Sequence, residues 1–383
     1  MSERILLITR NFPPLVGGME RLVWHAYKEL NTQYCCSVIG PSGCPQKIAA
    51  KDIALGCPSH PASLFLSTAM IKALYHSSTH KPSLCIGGSG LVAPITTTIG
   101  SIRKIPTLTF VHGLDLIVNN NIYQKFFIPA IRNSDIIIAN SNNTAQLAEA
   151  SGIAKGKIRI IHPGVTLPEK KIPSDNFYKQ YPGLKNKKIL LFVGRLVRRK
   201  GIVEFLRKSF PKVREACPET VCVILGAEPK KALKKDAFIL KEIREAIQSN
   251  NLTESVMIFG NVNEETLSNF YQESSLFIFP GIDIPGDVEG FGMVLVEAAA
   301  HGLASAAFSV GGIADAVSDN ESGFLIPKGN YNKLSETIIS YLRKDNRNFM
   351  SDSCLSHAKK FTWDKFGKQL REICAQTLKA KIK

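Results

Sequence analysis

Short apolar runs recur along this chain, each closed by a loop containing glycine, proline or asparagine and followed by a stretch of helical spacing. The first run covers residues 5–9, and the loop Arg10-Asn11-Phe12-Pro13-Pro14-Leu15-Val16-Gly17-Gly18 follows it. Met19, Leu22, Val23, Ala26, Tyr27 and Leu30 then repeat at the period of one helix face. Similar runs return at 36–39, 84–86, 107–111 and 136–139, with helical spacing over 64–75, and 157–161, with two basic residues, reads as the last strand of this half. In the second half they lie at 189–193, 221–225, 256–259 and 276–279, and helical patterns over 331–342 and 355–378 close the chain. Runs apolar at every position suit strands buried on both faces. Their alternation with helices predicts parallel sheets of the doubly wound α/β class. Ligands of such sheets bind at the carboxyl ends of the strands, so the chemistry is sought in the loops that follow them.

At 383 residues there is length for two such domains. We place the first at 1–165 and a linker at 166–186, where Pro, Lys and Tyr occur without periodicity. The second runs over 187–354, with a C-terminal helix over 355–383. The net charge of +16 favours an anionic partner: a nucleotide, a phospholipid surface or a nucleic acid. Of the charged residues before position 166, 15 are basic and 7 acidic, so the excess is spread over both halves rather than held in a tail. A nucleic-acid-binding module is disfavoured, because no basic patch interleaved with aromatics and no helix-turn-helix pattern is present. The nine cysteines form no C-x-x-C pair, which argues against a zinc site and for a reducing, cytoplasmic setting. No signal-type segment precedes the first strand. Residues 82–102 carry no charge, but their glycines, prolines and hydroxyl residues fit a buried strand, turn and helix better than a membrane span.

Three loops carry candidate chemistry. After the run 276–279, Glu289-Gly290-Phe291-Gly292 leads into a helix that carries Glu297 among Met293, Val294, Leu295, Val296 and Ala298 to Ala300. A carboxylate in such surroundings needs a partner. Eight helical residues separate the two glutamates by roughly 12 Å along the axis, enough for two ends of one elongated ligand. The glycines leave backbone N–H groups open at a helix N-terminus, where an anion is favoured. After the run 189–193 comes Gly194-Arg195-Leu196-Val197-Arg198-Arg199-Lys200-Gly201, four cations between strand and helix that call for an anion or open solvent. After the run 107–111, His112-Gly113-Leu114-Asp115 stands at a strand end. A fourth feature, 118–132, sets Tyr123, Phe126, Phe127 and Ile128 beside Lys125 and Arg132, and reads either as a packed helix or as a shallow membrane contact.

The block E-x7-E, with Gly-Phe-Gly after the first glutamate and Ala-Ala-Ala after the second, resembles the donor-site motif of the GT4 glycosyltransferases. N-F-P-P-x-x-G-G, H-G-x-[DE], Asn140-Ser141 and R-x4-K-G resemble that family too, and the resemblance covers nearly the whole chain. It implies the GT-B architecture of two Rossmann-like domains facing across a cleft, and a retaining transfer of sugar from a UDP- or GDP-sugar to an acceptor hydroxyl. By position, Arg195 and Lys200 inherit the diphosphate, Glu297 the ribose and Glu289 the sugar hydroxyls. The amides of Gly290, Phe291 and Gly292 inherit the sugar or phosphate, and Asn261 and Val262 the nucleobase. Gly17 and Gly18 would approach the donor phosphates, and His112 would face the reaction centre, with Asp115 a weaker candidate. No cofactor and no metal are implied, since two cations can stabilise a departing diphosphate. The flavour is that of bacterial cell-envelope enzymes, which points to a glycan or lipid-linked acceptor such as an O-antigen or lipopolysaccharide intermediate. The basic charge is compatible with peripheral contact at the inner face of the cytoplasmic membrane. Two departures stand out: Thr166 where an acidic residue is common, and Gly226-Ala227-Glu228-Pro229 followed by Lys230, Lys231, Lys234 and Lys235 in place of a glycine-richer loop. A nucleotide-sugar epimerase or hydrolase would use the same fold, because fold does not settle reaction.

Overall fold

The computed structural model describes residues 3–48, 52–168, 174–229, 238–344 and 347–380. The lysines of 230–235 singled out above lie outside them. The chain divides into two compact units, Met1–Gly164 with Trp363–Lys383, and Val165–Thr362.

The first unit is built on seven parallel strands: β1 (Arg4–Ile8), β2 (Cys35–Pro41), β3 (Ile53–Cys57), β4 (Leu84–Gly87), β5 (Thr107–Val111), β6 (Ile136–Ala139) and β7 (Ile158–Ile160). They lie side by side in the order β3-β2-β1-β4-β5-β6-β7. Ile5 to Ile8 and all of β4 and β5 are buried, as strands covered on both faces must be. The helix Gly18–Leu30 buries Leu22, Val23, Ala26, Tyr27 and Leu30, the predicted face, whereas Met19 at its open end is 38% exposed. Residues 82–102 become β4, a turn and the helix Ala93–Arg103. Among the described residues no helix is long and apolar enough to cross a membrane. The 118–132 stretch divides. Ile128 and Ile131 are buried, while Ile122 and Phe126 are exposed beside Lys125.

The second unit has six parallel strands: β8 (Lys188–Val193), β9 (Thr220–Leu225), β10 (Val256–Ile258), β11 (Leu276–Phe279), β12 (Ser305–Phe308) and β13 (Gly323–Ile326), in the order β10-β9-β8-β11-β12-β13. Two boundaries differ from the sequence reading. The placed linker, 166–186, contributes the helix Ser174–Gln180 and buries Phe177 and Leu184 in this unit's core. Phe177 meets Phe270 edge-on at 5.1 Å, a contact with no local periodicity to announce it. The closing helix is also not continuous from 355. Helix Arg347–Ala358 ends in the turn Lys359–Phe361, the Phe361 carbonyl accepts from the Val165 N–H, and only at Trp363 does the chain rejoin the first unit. There the helix Trp363–Ala380 lies on Gly18–Leu30, with Trp363 stacked on His25 at 3.8 Å and Arg371 paired with Glu29. All nine cysteines are free, and eight of them are buried.

Candidate active site

In the second sheet β8, the first strand in chain order, lies between β9 and β11, so the strand order reverses at its carboxyl end. Such a switch point leaves a crevice between the two loops that leave it in opposite directions. Those loops carry Arg195 to Lys200 and Pro280 to Gly292, and the backbone binds them together. The Ile282 N–H donates to the Arg199 carbonyl at 2.9 Å. Gly201 takes φ 71°, and a Cβ there would overlap the Pro280 carbonyl, so only glycine lets the loops approach this closely.

Lys200 is buried, 7% exposed, and its ammonium lies 4.3 Å from the face of Phe279. It donates to Glu289 Oε2 at 2.8 Å, and Arg199 Nη1 reaches the same oxygen at 2.8 Å. Arg199 Nε lies 3.3 Å from Asp287. Burial lowers the Lys200 pKa to about 8, against the opposing pull of Glu289, and the charges of Arg199 and Arg195 add to the lowering. Burial alone would raise the Glu289 carboxyl, but Lys200, Arg199 and Arg195 outweigh it and hold the group below its ordinary value. At neutral pH the cluster is therefore charged: two cations converging on one carboxylate oxygen. Arg195 is exposed and acts on them through its field.

The Glu289 backbone is held from the far side, where its carbonyl accepts from the Gly312 N–H at 2.9 Å. Any Cβ on Gly312 would overlap the Gly290 carbonyl, so Gly311-Gly312 seats the loop. Gly292, at φ 89°, turns the chain into the helix Met293–Ala300, and Phe291 is buried behind it. Glu297, 9% exposed, finds its partner in the Tyr271 hydroxyl at 3.2 Å. His301 stacks on Tyr271 at 5.0 Å, and its ring nitrogens face the Glu297 carbonyl and the Ser268 hydroxyl. Burial lowers the His301 pKa, keeping this support neutral. Asn261 and Val262 follow β10, two strands from β8 and so about 10 Å along the sheet. Among the described residues no three His, Cys, Asp or Glu side chains gather as a metal site.

In the first unit the switch point lies at β1, between β2 and β4. Gly17 and Gly18 open the helix that follows β1. His112 caps β5, 8% exposed, with Nε2 2.9 Å from the Gly88 carbonyl. Asp115 is occupied locally, one oxygen accepting from the His112 N–H at 2.8 Å and the other from the Gly90 N–H at 3.0 Å. It ties the loops after β4 and β5 together and so positions His112. Ser141 caps the helix Asn142–Ala150, accepting from the Thr144 N–H. Beside His112, Ser89 Oγ after β4 and Asn140 Oδ1 after β6 are buried with no hydrogen-bond partner among the described residues.

The structure thus brings together Lys200 and Glu289, keeps Glu297 on a separate anchor, and adds Arg199 and Asp287, which the sequence reading left unselected. Arg199 was visible as one of four cations in its loop. Nothing in the spacing distinguished it, because its partner lies 90 residues away.

The chain matches the family models "Glycosyl transferases group 1" over residues 174–353 and "Glycosyltransferase Family 4" over residues 16–168, together most of its length. An uncharacterized glycosyltransferase of Methanocaldococcus jannaschii is 26% identical over 312 residues, 78% of this chain and 74% of the relative. A D-inositol 3-phosphate glycosyltransferase of Corynebacterium urealyticum is 24% identical over 249 residues, 63% of this chain and 57% of the relative. The chain therefore spans little more than half the length of that relative. Among solved structures, Anabaena Alr3699/HepE in complex with UDP superposes with a TM-score of 0.79 at 18% identity, covering 97% of this chain and 100% of that one. With two parallel doubly wound sheets and both halves matched, the chain belongs to the GT4-like glycosyltransferases of the GT-B fold.

Proposed function

We propose that the chain moves a sugar, with retention of its anomeric configuration, from a UDP- or GDP-sugar to a hydroxyl of a lipid-linked or cell-envelope glycan. The observation that supports this reading best is the pair Lys200 and Arg199 at the switch point of the second sheet, with Glu289 against them. Cations fixed in a buried crevice stabilise the charge that develops on a departing diphosphate, work that a divalent metal does in other designs. Arg195, on the same loop, adds to the field. Glu297 takes the ribose hydroxyls, oriented by Tyr271. Glu289 takes the sugar hydroxyls, and the amides of Gly290, Phe291 and Gly292 approach sugar or phosphate. Asn261 and Val262 lie beside the base, Gly17 and Gly18 approach the phosphates, and His112 orients the sugar. The UDP bound by the Anabaena protein is consistent with the donor proposed, and the glycosyl transfer named for one relative with the class of reaction.

The enzyme would work in the cytoplasm at the inner face of the membrane. The net charge of +16, and Ile122 and Phe126 exposed beside Lys125, support that placement. Co-sedimentation with anionic vesicles at low salt tests it, and a protein left wholly in the supernatant overturns it. For the reaction, thermal melts with UDP, GDP and ADP come first. Ligand at about 100 times its dissociation constant adds about 2.7 kcal/mol, a rise of a few degrees. A selective rise identifies the base, and no rise with any nucleotide overturns the donor site. Among variants, Glu289→Ala should cut turnover more than nucleotide binding, whereas Lys200→Ala should weaken both. Equal loss of nucleotide affinity in the two would remove the roles assigned. Turnover of the nucleotide sugar without any acceptor would favour the hydrolase or epimerase alternative.

A further inference from the structure

Lys200, assigned to the diphosphate, and its neighbour Arg199 are already neutralised within the protein. Lys200 Nζ and Arg199 Nη1 both donate to one oxygen of Glu289 at 2.8 Å, and the Glu289 side chain is only 16% exposed. A phosphate oxygen that takes either cation must share it with this carboxylate or displace it. Sharing is unfavourable, because two anionic oxygens would meet in a crevice that screens them poorly.

We propose that Glu289 is the resident counter-ion of the diphosphate position, and that the donor binds by exchange: its diphosphate takes Lys200 and Arg199, and the displaced carboxylate turns to the sugar. This rests on the glycosyltransferase reading above and adds to it an order of events. Three features of the site make the exchange a matter of side-chain rotation rather than loop opening. The backbone of residue 289 is fixed by the Gly312 N–H, and the cation loop is fixed to the 280–282 segment through Ile282 and Gly201. Each cation also keeps a second anchor when the carboxylate leaves, Lys200 on the Phe279 face and Arg199 on Asp287. The Glu289 carboxylate, by contrast, is held among the described residues by those two cations. The cations thus stay arranged while the anion between them changes, and Arg199 becomes a diphosphate ligand beside Lys200.

The test is calorimetric titration of UDP and GDP into the full chain and into Glu289→Gln, which preserves shape and removes the charge. The expected result is that the variant binds the nucleotide that the parent prefers about tenfold more tightly, while sugar transfer falls. Equal or weaker binding by a folded variant overturns the exchange and leaves the glycosyltransferase reading standing. No binding of any nucleoside diphosphate by either protein overturns both. Should the variant fail to fold, a crystal structure of the parent with the bound nucleotide decides. Phosphate oxygens on Lys200 and Arg199 with Glu289 rotated away support the proposal, and Glu289 Oε2 still on both cations overturns it.

Discussion

At the switch point of the first sheet, between β1 and β4, the groups on the neighbouring strand ends are satisfied locally or have no partner among the described residues. His112 faces a carbonyl, Asp115 is spent on two backbone N–H groups, and Ser89 Oγ and Asn140 Oδ1 have no partner among the described residues. At the switch point of the second sheet, between β8 and β11, Lys200, Arg199, Asp287 and Glu289 form an ionic cluster. One topology, used twice in the chain, carries two chemistries. The ionic site suits a phosphorylated group, whose charge repays the desolvation of two cations. The buried Ser89 and Asn140 oxygens beside the first switch point suit hydroxyls, which pair with lone buried acceptors and donors without bringing charge. In a sugar-transfer enzyme this is the division expected between the leaving nucleotide and the polyhydroxyl groups.

The sharpest way to break the comparison is Lys200→Ala. Removing one cation from a buried pair should lower nucleoside diphosphate affinity about a hundredfold and cost on the order of 3 kcal/mol of stability. Calorimetry and urea unfolding read the two effects, and unchanged affinity would mean that the ionic cluster is purely structural. Gly312→Ala comes next. Its Cβ would push the Gly290 carbonyl and with it the Glu289 loop. A displacement near 1 Å reduces transfer by up to about a hundredfold, with nucleotide affinity less affected. Normal turnover in that variant would show that the seat at Gly311-Gly312 is dispensable.

The two units also answer pH differently. Lys200, lowered to about 8, loses its proton as pH rises through that value, so nucleotide affinity should fall above about pH 8. A flat binding profile from pH 7 to pH 9 would contradict this. In the first unit, burial, with the charges of Lys28 and Arg21, lowers His25 to about 4, and burial, with His80, lowers His76 to about 4. Both folded-state values lie below the ordinary histidine value of 6.5, so the unfolded chain takes up protons first. The stability these residues contribute is present above pH 6.5 and is lost as pH falls toward 4. Melting temperature should drop across that window, and His76→Gln should flatten the drop. The smallest effects are expected at Ser89→Ala and Asn140→Ala. Each should raise acceptor KM several-fold and leave nucleotide affinity unchanged, since a neutral hydrogen bond contributes about 1 kcal/mol. A loss of nucleotide affinity in either would erase the division between the sites.

Much of this architecture is legible in the amino-acid sequence. Apolar runs mark β1, β5, β6, β8, β9 and β11 because strands buried on both faces must be apolar throughout. Glu289, Lys200 and His112 stand out as charged or titratable groups in the loops at strand ends, and Glu297 as a carboxylate among apolar helix residues, because such groups are costly unless they are used. Three strands escape notice, β13 with Phe324 and Leu325 half-buried at a sheet edge among them, and each for a physical reason. β3, with Ile53 exposed and Ala54 to Gly56 half-buried, lies at a sheet edge where little burial is demanded. The residues of β12, Ser-Ala-Ala-Phe, are mostly small, and they are buried by β11 and β13 on either side rather than by their own hydrophobicity.

The chain alone determined that there are two doubly wound sheets and which loops leave their strand ends, because periodicity and glycine placement are local properties. Only the tertiary structure decided that Arg199 joins Lys200 on Glu289, that Tyr271 serves Glu297, that Phe177 belongs to the second core, and that the chain returns to the first unit at Trp363. Each of those is a meeting of side chains or backbone far apart in sequence. The energy of burying a charge depends on the partner that arrives from elsewhere, and no local pattern records it.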